Sequence, residues 1–128
     1  MNVNDIITVI ENEFLYALLF FIVFDIITGT LKAFSTNTVY SKINKQGITN
    51  HITIFLFCIF FSLVFAFFNV NEYSKLLIMF YIVSYGLSII ENIGQMGLPL
   101  PQWLIDKFQV LKDETNKGVE IDETKRDR

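Results

Sequence analysis

Hydrophobic residues along this chain are concentrated in three long runs that are separated by short polar segments. The runs cover residues 14–34, 52–68 and 76–98, and the second contains no charged residue. An α-helix rises about 1.5 Å per residue, so a run of about 20 residues crosses a hydrocarbon core of about 30 Å. The pattern therefore predicts three transmembrane helices, at about 14–34, 49–68 and 76–98.

Strands need consideration because β-branched and aromatic residues are plentiful. A membrane barrel is built from segments of about ten residues that alternate in polarity. The runs here are continuous and about twice as long as such segments. Helices are favoured, and the fold class that we predict is an all-α integral membrane protein.

The two ends of the chain differ from these runs. Residues 3–13 form a short, mildly amphipathic lead-in, and the sequence leaves open whether it inserts, lies flat or stays free. After Pro101 the pattern becomes amphipathic, which predicts an interfacial helix at 101–117 with Trp103 at headgroup depth. The charged residues 118–128 are expected to be disordered. Residues 1–117 are thus expected to form a single membrane domain.

Composition supports a membrane protein and excludes several other classes. Hydrophobic residues make up 52% of 128 residues, and a chain this short cannot bury so much apolar surface within itself. The net charge is −3, and no basic stripe suggests nucleic acid. One cysteine (Cys58) and one histidine (His51) cannot build a zinc site or an intramolecular disulfide. The N-terminus lacks a basic segment, so a cleaved signal peptide is not expected.

Lysine and arginine in the flanking segments predict the orientation. The segment before the first run has neither residue, whereas the first loop carries Lys42 and Lys45. The second loop has only Lys75, and several basic residues follow Pro101. Positive charge accumulates on the cytoplasmic side of membrane proteins. The pattern predicts the N-terminus outside and the C-terminus inside, which agrees with three spans.

Asp25 lies near the middle of the first run, where an ionised Asp costs roughly 2.5–3.5 kcal/mol. Three further residues follow it on the same helical face: Thr28, Gly29 and Lys32. In one interpretation Asp25 pairs with Lys32 or with a neighbouring helix and only fixes packing. In the other, the stripe faces a water-filled path or drives the formation of a homo-oligomer.

The third run carries a second polar face. Spacings of 4, 3 and 4 residues place Ser84, Ser88, Glu91 and Gln95 on one side of the helix. These residues are further candidates for pore lining or oligomer contact. A metal-binding or proton-relay role for His51 is not favoured.

Motifs of catalysis are missing from the sequence. It has no phosphate-binding loop, no nucleophile elbow, no H-E-x-x-H and no dinucleotide fingerprint. Asp25 and Glu91 are two carboxylates without a catalytic constellation around them. We therefore expect neither an enzyme nor a cofactor.

Several short motifs together resemble a known family. The segment FDIITGTLKAF at residues 24–34 contains D-x-x-T-G-x-x-K-A, and a polar loop with S-K-I and a glycine follows it. Residues 88–104 read SIIENIGQMGLPLPQWL, and a charged tail ends the chain. In this order on membrane helices, the motifs resemble a holin family of phages that infect Gram-positive bacteria. That family also includes holin-like toxin-release proteins of clostridia.

The resemblance implies a protein that accumulates in the host cytoplasmic membrane, assembles with itself at a set time and opens large holes. A muralytic endolysin then reaches the cell wall. The resemblance therefore implies a functional link to an endolysin, which does not require that the two proteins bind each other. Two alternatives stay open: an export channel for a toxin or bacteriocin, and a membrane-complex subunit without permeability of its own. By position, the family's polar motif residues correspond to Asp25, Thr28, Gly29, Lys32, Glu91 and Asn92.

Lys32 and Glu91 are predicted to form a contact, within one chain or between chains. Lys32 lies about 27 Å along the first helix and Glu91 about 22 Å along the third, so both approach the cytoplasmic boundary. Reversing either charge is expected to abolish function, and exchanging the two charges is expected to restore it. Failure of the exchanged variant would show that the pair is wrong.

Overall fold

A computed structural model describes residues 3–36 and 41–126, and every regular element in these ranges is an α-helix. This confirms the predicted all-α class. In chain order the helices are α1 (Val3–Ile10), α2 (Glu13–Ser35), α3 (Ser41–Phe67), α4 (Asn71–Gln95) and α5 (Gln102–Arg126).

Three segments of the described chain are long and apolar enough to cross a membrane. They are Ile6–Ser35, Gly47–Phe67 and Asn71–Gln95. The prediction of three spans followed by a C-terminal helix is therefore confirmed. At most 33% of the most apolar residues of any span are buried within the chain. Most of the span surface is thus left for lipid or other protein to cover.

The lead-in is a separate helix, α1, which contacts α3 and buries Val9. Asn12 divides it from α2, because its side chain accepts a hydrogen bond of 3.0 Å from the backbone N–H of Phe14. Asn is a favoured N-cap residue, since its side chain satisfies a free N–H in the first turn. The chain therefore starts a new helix at Glu13 instead of continuing the first.

The α3–α4 connection is a tight turn that sets two helices antiparallel. Asn69 adopts a positive φ of 56°, and the N–H of Val70 donates to the carbonyl of Phe65 at 2.9 Å. Asn tolerates this left-handed conformation better than most residues. Close to the turn, the buried hydroxyls of Ser62 and Ser74 lie 2.7 Å apart and join the two helices.

The core is small. It lies where α2 and α4 pack side by side and α3 packs against both of them. Its fully buried members come from all three helices and include Leu18, Cys58 and Ile78. These residues fix the relative positions of the spans, and they place the polar residues of the three helices within reach of one another.

Two spans are longer at their N-terminal ends than the sequence predicts. α3 begins at Ser41 and α4 at Asn71, within segments that were expected to be loops. Neither segment contains proline, and continuing the helix satisfies backbone groups that would otherwise need other partners. α4 ends at Gln95, before the predicted position 98, and Gly97 then takes a φ of +80°.

α5 continues to Arg126, so the tail that was expected to be disordered from position 118 is helical over most of its length. The sequence places an acidic residue four positions before a basic one, as in Asp113 with Lys117. Such pairs stabilise exposed helices. The predicted position of α5 at the membrane surface stays a prediction.

α5 contacts α4 through an aromatic ring that fills a glycine notch. The side chain of Phe108 lies against Gly86, in the space that a Cβ atom would occupy. Gly86 is buried in the middle of α4, whereas Gly94 has nothing within 4 Å of a Cβ position. Small residues let helices approach closely in membranes, and here the notch fixes where α5 attaches.

Replacing Gly86 with Leu is therefore expected to detach α5. Trypsin should then cleave the detergent-solubilised variant faster at Lys107 and Lys112, because a loosened helix is a better protease substrate. The matched control is Gly94→Leu, whose side chain enters open space. This variant should be cleaved at the same rate as the wild type. Equal cleavage rates for the two variants would contradict the anchoring role of Phe108.

Candidate functional site

Five polar side chains meet between the three spans, and we call them the polar cluster. Asp25 and Thr28 come from α2, His51 from α3, and Tyr85 and Asn92 from α4. Asp25 and Asn92 are buried, with 8% and 6% of their surface exposed. A carboxyl group deep in a membrane protein needs protein or water partners, and this cluster supplies them from each span.

Asp25 is contacted from both neighbouring helices. Its Oδ1 accepts a hydrogen bond of 3.4 Å from the amide nitrogen of Asn92, and its Oδ2 lies 3.8 Å from Nε2 of His51. The second distance is that of an ion pair rather than of a hydrogen bond. Both oxygens of the carboxylate thus have a partner on another helix.

Thr28 and Asn92 complete the α2 side of the cluster. The Thr28 hydroxyl donates to the carbonyl oxygen of Asp25 at 3.2 Å and accepts from the Asn92 amide at 3.3 Å. Gly29 lies beside them, with the Asn92 amide nitrogen 3.6 Å from the position that its Cβ would take. Gly29 therefore lies directly beside the Asn92 amide, at a distance that is ordinary for a van der Waals contact.

His51 connects Asp25 to Tyr85. Its Nδ1 lies 2.9 Å from the Tyr85 hydroxyl, and the two rings are 5.4 Å apart. When the imidazole is charged, Nδ1–H donates to Tyr85; when it is neutral, the hydroxyl donates to Nδ1 and the hydrogen stays on Nε2. The ring therefore presents Nε2–H to Asp25 in either state without moving.

On α2 the structure places the predicted stripe toward the other spans. Asp25 and Thr28 are buried in the polar cluster, and Gly29 and Lys32 are half-buried nearer the end of the helix. Within residues 3–36 and 41–126, no ion pair joins Lys32 to Glu91. The intramolecular form of that predicted contact is thus not formed, and the contact between chains stays a prediction.

On α4 the predicted residues are divided between two faces. Asn92 belongs to the buried cluster, whereas Glu91 is exposed because consecutive helical residues are about 100° apart. Ser84 and Gln95 are also exposed, and Ser88 is half-buried. We call Ser84, Ser88, Glu91 and Gln95 the outer face of α4. Their roles as pore-lining or oligomer-contact residues stay predictions.

Sequence reasoning missed His51 and Tyr85 as members of the site. A usable signal was present, since Tyr85 lies seven residues before Asn92 and therefore shares its helical face. His51 stands at the polar edge of an uncharged run, and Asp25 needs a donor from another helix. Among the described residues, no group of three or more His, Cys, Asp or Glu side chains is arranged to hold a metal ion.

Comparisons with known proteins show what this chain is similar to. The profile of the bacteriophage holin family matches residues 5–113. A protein of Bacillus phage phi105 named "Probable holin" is 28% identical over 114 residues, which cover 88% of this chain and 84% of the phage protein. A protein of Halalkalibacterium halodurans is 33% identical over 106 residues and 78% of each chain.

A further relative is a 14.9 kDa protein of Clostridium perfringens from the nagH 3' region, 31% identical over 105 residues, which cover 80% of this chain and 77% of that protein. No solved structure matches this chain.

Proposed function

The chain belongs to the bacteriophage holin family, and from that premise we propose that it oligomerises in the host cytoplasmic membrane and opens lesions that release an endolysin to the cell wall. One chain with three spans cannot enclose a hole that passes a folded enzyme. Many copies have to associate, and the surfaces that associate have to lie on the outside of the three-helix unit.

The observation that carries this proposal is the exposed carboxylate of Glu91 on a membrane-spanning helix. Hydrocarbon is a poor environment for a carboxylate, and such groups in membrane helices face protein or water. The polar cluster within the chain leaves Glu91 outside, together with Ser84 and Gln95. Another copy of the chain or the water of a lesion therefore covers the outer face of α4.

This arrangement suggests two states of the assembly. In the closed state the outer face of α4 is buried against neighbouring copies, and in the open state it is exposed to water. The change between them is a shift of population, because protein contacts and water stabilise the same polar face in different ways. The change needs no further cofactor or enzyme activity.

The orientation that fits this function places the N-terminus outside and the C-terminus inside the host cell. It rests on the distribution of lysines. Next to the second loop, in the first turns of α4, Lys75 lies 3.6 Å from Glu72 in an exposed ion pair. The first loop carries Lys42 and Lys45 with no acidic residue between positions 36 and 50, which favours the cytoplasmic side for it.

Induced expression together with a cytoplasmic endolysin tests the proposal. We expect growth to stop abruptly, the membrane potential to collapse and the culture to lyse. The same chain without endolysin should stop growth without lysis, and endolysin alone should do neither. A chain that reaches the membrane and leaves the potential intact at every level of expression would instead be a subunit without permeability of its own.

Asp25→Asn and Glu91→Gln are expected to shift the time of lysis while the protein still inserts. Glu91 lies on the outer face of α4, which the two states cover differently, and Asp25 lies in the polar cluster that joins the three spans. Lysis time after induction and the amount of protein in the membrane fraction measure the two effects. The control is Thr30→Val, at an exposed position of α2 whose hydroxyl bonds only to its own helix. Normal timing in both charge variants would count against the mechanism.

A further inference from the structure

His51 is the residue through which α3 joins the polar cluster. It lies 3.8 Å from Asp25 of α2 and 2.9 Å from the hydroxyl of Tyr85 of α4. The rest of α3 packs loosely, since only 17% of its most apolar residues are buried, the smallest share of the three spans. The contacts of His51 therefore contribute more to holding α3 than they would in a well-buried helix.

Among the residues whose side chains the structure describes, a single group can oppose the charge of Asp25 at close range. From α4 it faces Asn92 and Tyr85, and from α2 the hydroxyl of Thr28, none of which carries a positive charge. Lys32 lies about 10 Å further along α2. Of the described side chains, the imidazole of His51, 3.8 Å away, is the one in ion-pair range.

This contact is only partly enclosed by the protein. The His51 side chain is 20% exposed, whereas the side chain of Asp25 is 10% exposed. His51 also lies near the first residue of the second span, Gly47, on the side that the lysine pattern places in the cytoplasm. At 3.8 Å the contact with Asp25 is longer than a hydrogen bond, so it is easier to break than the contact of 2.9 Å between His51 and Tyr85.

We propose that His51 is a positioning residue whose contacts with Asp25 and Tyr85 hold α3 against α2 and α4. We call these two contacts the clasp, and we propose that their release is the step that frees α3 for hole formation. The clasp itself follows from the contacts in a single chain. Its part in timing rests on the proposed lysis function, so the two statements are tested separately.

Cys58 provides a direct probe of the clasp. It is the only cysteine of the chain, is fully buried, and lies seven residues after His51 on the same face of α3. A thiol-reactive fluorogenic maleimide therefore labels the purified protein in mild detergent only when α3 leaves the bundle. The midpoint temperature of labelling reports how firmly α3 is held.

Removing the clasp while Asp25 keeps its charge should lower this midpoint. Breaking a buried pair by removing one partner leaves the other uncompensated, and His51→Leu is expected to lower the midpoint by about 5 °C or more. His51→Gln retains a side-chain N–H donor and should lie between His51→Leu and the wild type. If His51→Leu does not accumulate, His51→Gln alone should still lower the midpoint.

The decisive variant combines His51→Leu with Asp25→Asn. Because it removes the uncompensated charge, it should have a higher midpoint than His51→Leu alone. Thr53→Leu is the matched control, since Thr53 is exposed on α3 and bonds within its own helix, and it should match the wild type. An unchanged midpoint in both His51 variants, or a double variant less stable than His51→Leu, overturns the clasp.

The timing of lysis then tests the functional part. His51→Gln should trigger earlier than the wild type when expressed with an endolysin, while Thr53→Leu should trigger on time. A lowered midpoint with unchanged timing would show that His51 only holds the fold, and would overturn its role in release. Absence of lysis in the wild type would refute the proposed function. The contacts of His51 would then be tested by the labelling midpoint alone.

Discussion

A carboxylate inside a membrane has to be covered by protein or water, and the arrangement of this chain follows from that constraint. Asp25 lies midway along α2 and receives partners from α3 and α4. The three helices thereby share one polar contact region in a bundle that buries little apolar surface. Where hydrocarbon is equally available outside the bundle, packing and polar contacts rather than the hydrophobic effect determine which helices are neighbours.

Two adjacent residues of α4 lie on different faces of the helix and have different surroundings. Asn92 faces inward and binds the α2 motif, while Glu91 faces outward and has no ion-pair partner within the described chain. The inner face is satisfied by the chain itself, and the outer face requires something else. This division separates the residues that join the three spans of one chain from those that the proposed oligomer would use.

Much of the fold follows from the sequence because the bilayer imposes a length on each apolar run. The three spans and the helical class follow from run lengths, and Asp25 and Thr28 stand out as polar residues within an apolar run. Asn92 was named only through the resemblance to the holin family. Periodicity shows which residues share a helical face, but it does not show which helices are neighbours. For that reason the partnership of His51 with Asp25 was missed. The early starts of α3 and α4 were missed because polar residues without proline extend a helix as readily as they end it.

The hydroxyl pair of Ser62 and Ser74 lies beside the tight turn between α3 and α4, at the end of α3 opposite to His51. Further along α3, the described side-chain contacts to α2 and α4 include those of His51 with Asp25 and Tyr85. About 24 Å of rigid helix separates His51 from Phe67. Because a rigid helix that tilts at the turn moves its distant part furthest, a tilt of a few degrees there displaces His51 by about an ångström or more.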